Sequence, residues 1–90
     1  MAITYARASI IEVLRSLEEV VVSLDQMGSA APDMSEEEFN AAAAAFLINQ
    51  DVFRKMARAR SILSEPFSTE VDRENLDQAM RTVAPWRRSP

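Results

Sequence analysis

The chain has 90 residues, 48% hydrophobic and 27% charged, with a formal net charge of −4. This balance is typical of one small soluble domain, and the length leaves no room for a second. Because His and Cys are absent, imidazole acid–base catalysis, thiol nucleophiles, disulfides and thiolate or imidazole metal sites are excluded. The sequence therefore predicts a non-enzymatic protein with no catalytic residue, no cofactor and no metal ligand.

The first segment predicts a helix over about 4–27, with Thr4 as N-cap and Gly28, the only glycine, ending it in a left-handed conformation. Its apolar residues recur at heptad spacing. This predicted buried seam comprises Ile3, Ala6, Ile10, Val13, Leu17, Val20, Leu24 and Met27, and is widened by Leu14 and Val21. The opposite, polar face is predicted to carry Glu12, Ser16, Glu19 and Ser23.

A second helix is predicted over about 35–64, after a tight connection at positions 29–34. Ser35 and Glu38 have the spacing of a capping box, and Pro66 disfavours helix at the residue before it. A break at positions 49–51 is left open. Plotted as one helix, this segment has two apolar stripes and is predicted to be the central element. One stripe holds Phe39, Ala43, Phe46, Phe53 and Ala57, and the other holds Ala41, Ala45, Ile48, Val52, Ala59 and Leu63.

A third helix is predicted over about 69–83, because Thr69 and Asp72 form a second capping box and Pro85 follows. Its buried side is expected to hold Val71, Leu76, Ala79, Met80 and Val83. Positions 85–90 are expected to be an irregular tail after a single helical domain at 1–84. The fold class is thus all-α, a long antiparallel hairpin with a shorter third helix, completed into a bundle by dimerisation.

A partner is expected because the third helix is too short to cover the hairpin. At 1.5 Å per residue the second helix would be about 45 Å long, and a third helix of about 22 Å would leave apolar surface exposed. The predicted partner interface comprises Ile48, Val52, Arg54, Arg58, Ala59, Leu63 and Trp86. The alternative for Trp86 is that its indole folds back over the third helix and covers the core.

Charge is distributed unevenly along the predicted hairpin. Positions 16–48 contain seven acidic residues and no Lys or Arg, whereas positions 1–15 and 49–64 together carry +4. The candidate acidic docking end comprises Glu18, Glu19, Asp25, Glu36 and Glu37. This asymmetry favours an antiparallel homodimer with Glu18 or Asp25 near Arg54 or Arg58 of the other copy. A second protein with a basic surface is the alternative partner.

The expected function is a protein–protein interaction module: a regulator, adaptor, inhibitor or assembly subunit that acts through exposed helical faces. The alternative is a small DNA-binding regulator with a helix-turn-helix around residues 49–64, although the negative net charge disfavours nucleic acid. No apolar run approaches the length of a membrane span, and the first residues lack the pattern of a secretory signal. We therefore expect a cytoplasmic protein with no membrane partner.

Overall fold

The computed structural model describes residues 3–89; Met1, Ala2 and Pro90, which belong to the predicted domain and tail, lie outside the described residues. Within that range the chain forms only helices, which confirms the all-α class. They are α1 (Arg7–Ala30), α2 (Glu36–Asn49), α3 (Val52–Ser64) and α4 (Glu70–Met80), with a 3-10 turn at Ala31–Asp33.

Helix α1 lies three residues later than predicted at both ends. Its N-cap is Ala6, which makes no side-chain capping hydrogen bond, so the assignment of Thr4 is wrong. Gly28 lies inside the helix with a negative φ, so its predicted left-handed role is also wrong. Pro32 then lies within the 3-10 turn, where its missing N–H is no disadvantage.

The two predicted polar helix starts are confirmed. The Ser35 hydroxyl accepts a hydrogen bond from the Glu38 amide at 3.0 Å, and Thr69 accepts one from Asp72 at 3.1 Å. Each bond satisfies a backbone donor that the helix itself leaves unpaired. The predicted end of the last helix is wrong, since α4 stops at Met80 rather than near position 83.

The predicted second helix is divided at Gln50 and Asp51, where the sequence left a break open. Asp51 adopts φ 54° and ψ 41°, the left-handed region, and is the only non-glycine residue with positive φ among residues 3–89. Asp tolerates this conformation better than most residues. The Asp51 carbonyl nevertheless accepts from the Lys55 amide at 3.1 Å, so α3 begins at once.

The break rotates the apolar face of the chain. The inner side of α2 holds Phe39 and Phe46, which are half-buried, whereas the inner side of α3 holds the buried residues Val52, Ala59 and Ile62. On one continuous helix these two faces would point about 150° apart. The predicted stripes, drawn through positions 39–63 as one helix, are therefore wrong: Phe53 is exposed, although it was placed with Phe46.

Helix α1 packs against both α2 and α3, and runs antiparallel to α3. The Tyr5 hydroxyl donates to the Leu63 carbonyl at 2.6 Å, Glu12 pairs with Arg58, and Glu19 pairs with Lys55. The buried cluster lies between these helices and comprises Val13, Ala59 and Ile62. The predicted antiparallel hairpin is therefore present, with α2 and α3 forming its second arm.

The structure is extended, and little of it is buried. Its radius of gyration is 16.8 Å, against about 12 Å for a compact domain of this length. Only Val13, Val52, Ala59 and Ile62 are buried among the described residues. Helix α4 is not among the closely packed helix pairs, and the predicted buried residues Val71, Met80 and Val83 are exposed.

Candidate protein interaction surface

The most continuous exposed apolar surface lies on one side of α1. Leu14, Leu17, Val21 and Leu24 are all exposed and fall within an arc of about 80° at 100° per residue. We call these four residues the α1 strip. The predicted helix 1 seam, with Leu14 and Val21 as its widening, placed all four residues in the core, and for all four that prediction is wrong.

The strip is exposed because α1 uses a neighbouring face for its own packing. That face combines Val13, which is buried, with half-buried residues at heptad spacing. The half-buried members are Ser9, Ser16, Val20, Ser23 and Met27. Ser16, Glu19 and Ser23 were predicted to be on the solvent face, and instead all three are half-buried. The two serines are small enough for close helix packing, and Glu19 pairs with Lys55 of α3.

Two ion pairs fix α1 against α3. Lys55 Nζ donates to both carboxylate oxygens of Glu19, at 2.8 and 2.7 Å, with both side chains about one third exposed. Arg58 donates to Glu12 at 3.2 and 3.4 Å in a more exposed position. The hydrogen bond to Glu12 and the charge of that carboxylate raise the pKa of Arg58. Both pairs are intramolecular, so Glu19 and Arg58 are used within the monomer.

The residues of the predicted partner interface do not form one surface. Val52 and Ala59 are buried within the monomer, which corrects their assignment as exposed contacts. Arg54 pairs with Asp51 of its own chain at 3.3 Å and Arg58 pairs with Glu12. Exposed apolar members of the predicted set remain on three different elements. They are Ile48 on α2, Leu63 on α3 and Trp86 in the tail.

The predicted acidic end is exposed except at Glu19, which is half-buried and paired with Lys55. Glu18 and Asp25 are exposed on α1, and Glu36 and Glu37 are exposed in the first turn of α2. Acidic residues in that turn interact favourably with the positive end of the helix dipole. Among residues 3–89, no group of three or more acidic residues is arranged to hold a metal ion.

The tail exposes the only tryptophan. Trp86 is 85% exposed, so its indole does not fold back over the core. Val71, Met80 and Val83 are also exposed, but Val71 and Met80 lie about 180° apart around α4, so this second apolar region is scattered. This region is less regular than the α1 strip because Val83 and Trp86 lie beyond the end of α4.

Sequence reasoning missed the α1 strip because it merged two overlapping heptad patterns into one. Positions 9, 13, 16, 20, 23 and 27 form the inward pattern, and positions 10, 14, 17, 21 and 24 form another, shifted by one residue. The presence of two such patterns on one helix was the available signal, since a helix that packs on one side needs only one.

Comparisons with known proteins identify no relative of this chain. No protein-family model, curated protein or solved structure matches the chain. None of the helices within residues 3–89 has both the length and the apolar character needed to cross a bilayer.

Proposed function

We propose that the chain is a non-enzymatic helical protein–protein interaction module, a regulator, adaptor, inhibitor or assembly subunit of the cytoplasm. The observation that carries the proposal is the α1 strip, in which Leu14, Leu17, Val21 and Leu24 are exposed along one face of a 24-residue helix. Scattered single apolar residues are normal on a protein surface, but contiguous ones usually mark an interaction site.

The total exposed surface supports the same proposal. The accessible surface is 7,775 Å², whereas a compact monomer of this mass exposes about 5,300 Å². The chain thus leaves roughly 2,500 Å² more surface in water than its size requires. A partner that covers the exposed helical faces would restore the burial expected of a stable small domain.

The alternative, a DNA-binding helix-turn-helix around residues 49–64, has one observation in its favour. The break at Gln50 and Asp51 does separate two helices. Against it, Lys55 and Arg58 of α3 form ion pairs with carboxylates of α1. Phosphate binding would have to compete with these pairs on a chain of net charge −4, so protein interaction is the better supported function.

Site-specific photocrosslinking tests the proposal. A photoreactive amino acid replaces Leu17 in the full chain, and in a separate variant it replaces Val22, within cells that naturally make the protein. These two residues are equally exposed, at 40% and 41%, but lie about 140° apart around α1. Val22 is therefore a matched control for exposure.

We expect a covalent adduct of defined mass at position 17 and little adduct at position 22. The mass of the adduct also distinguishes a second copy from a different protein. Absence of an adduct at position 17, or equal labelling at both positions, would contradict a specific interaction through the α1 strip.

A further inference from the structure

The α1 strip belongs to a coiled-coil seam that the monomer leaves open. Together with half-buried Ile10, its residues follow at alternating intervals of four and three, the pattern by which one helix packs along another. From Ile10 to Leu24 the seam is about 21 Å long. An occupant must therefore supply an apolar helical face of at least that length.

We propose that the occupant is the same seam of a second copy, packed antiparallel about a two-fold axis near Leu17. This inference rests on the proposed function and names its partner. In this register Leu17 packs on Leu17 of the partner subunit, Leu14 on Val21 of the partner subunit, and Ile10 on Leu24 of the partner subunit. The seam is therefore complementary to itself, as a two-fold interface requires.

The charges beside the seam fit the antiparallel arrangement. Arg7 lies on the N-terminal half of α1, and Glu18 and Asp25 lie on the C-terminal half; at 100° per residue all three flank the same side of the seam. All three side chains are exposed, and the ion pairs found within residues 3–89 use none of them. Antiparallel packing places Arg7 near Asp25 of the partner subunit, whereas parallel packing would bring each charge near its own copy.

The other helices of the chain fit the seam less well. Helix α4 has 11 residues, so it would cover only about 16 Å. Helix α2 already directs its half-buried residues toward α1 within the monomer.

The chain has enough exposed surface for a dimer interface. An interface of standard size buries about 800 Å² for each partner, and this chain exposes roughly 2,500 Å² more than a compact monomer of its mass. That excess is spread over the whole chain, and the seam supplies one part of it.

Sedimentation velocity over about 1–300 µM of the full chain tests which face is used. The double variant Leu17→Asp, Val21→Asp buries unpaired carboxylates in the proposed interface and should weaken the dimer at least about 100-fold. The matched control Val22→Asp should change the dissociation constant less than about 3-fold, because the residue is equally exposed on another side of α1. Circular dichroism verifies that both variants remain helical.

A double-mutant cycle of charge reversals tests the relative orientation of the two subunits and leaves the apolar seam unchanged. Arg7→Glu and Asp25→Arg should each weaken the dimer about 5-fold, and the two together should restore it to within about 2-fold of the natural chain. The two positions are 18 residues and about 27 Å apart on one helix. Coupling between them can therefore arise only across an antiparallel pair.

Three results would overturn the inference. The first is a natural chain that stays monomeric across the whole concentration range. The second is a dimer that Val22→Asp dissociates and the double variant does not, and the third is strictly additive weakening in the charge cycle. A monomer that still gives a specific adduct to another protein at position 17 would overturn the second copy and leave the proposed function standing.

Discussion

At Asp51, replacement by Gly should be tolerated better than replacement by Val, which is the reverse of the order expected within a helix. In the left-handed region an ordinary residue loses about 1–2 kcal/mol relative to its preferred conformations, and a β-branched one is the least tolerated. Glycine removes that strain but is more flexible in the unfolded chain by about 0.5–1 kcal/mol. We therefore expect Asp51→Gly to lie within about 0.5 kcal/mol of the natural chain, and Asp51→Val to lower the free energy of unfolding by about 2 kcal/mol.

Ala57 provides the matched control, because it is exposed within the regular part of α3. There Gly should lower the free energy of unfolding by about 1 kcal/mol and Val by only about 0.5 kcal/mol. Gly is thus favoured over Val by about 2 kcal/mol at position 51 and disfavoured by about 0.5 kcal/mol at position 57.

Urea denaturation of the four variants at one protein concentration measures both differences. A single concentration is essential because association would add to the apparent stability. If Val is favoured over Gly at both positions, then residue 51 is helical in solution and α2 and α3 form one continuous helix. In that case the apolar face is not rotated between α2 and α3.

Two further predictions concern local contacts. Ser35→Ala should lower the free energy of unfolding by about 0.5–2 kcal/mol, because the Glu38 amide loses its acceptor. The control Ser61→Ala, at an exposed position within α3, should be neutral or slightly stabilising in the same urea titration. A double-mutant cycle between Glu19 and Lys55 should give a coupling free energy of about 1 kcal/mol. The more exposed pair of Asp51 and Arg54 should give almost none. Equal coupling free energies would show that partial burial does not strengthen the pair of Glu19 and Lys55.

Local signals in the sequence predicted the elements well. Ser35 and Thr69 were recognisable as N-caps because capping depends on residues only three positions apart. It was harder to predict which face of each helix is buried, because this depends on the neighbouring helix against which it packs. Leu17 looks like a core residue on the heptad pattern alone, yet α1 instead packs through Val13 and its serines.

The candidate site was predicted only in part, for the same reason. Ile48 was expected to be exposed and is, at 74%; for Trp86 the sequence left open a folded-back indole, and the residue is 85% exposed. Val52 and Ala59 were misplaced because the left-handed residue Asp51 rotates α3 relative to α2, and no rule for a continuous helix includes such a rotation.

The connection at Gln50 and Asp51 also affects how the chain would tolerate a change in its length. Inside a continuous helix, one inserted residue rotates everything after it by about 100°. An insertion after Ala57 would therefore turn Ala59 and Ile62 away from α1. An insertion beside Gln50 lies between the backbone hydrogen bonds of α2 and those of α3, so the buried face of each helix can keep its orientation. Natural variants of different length should therefore differ there rather than within α3.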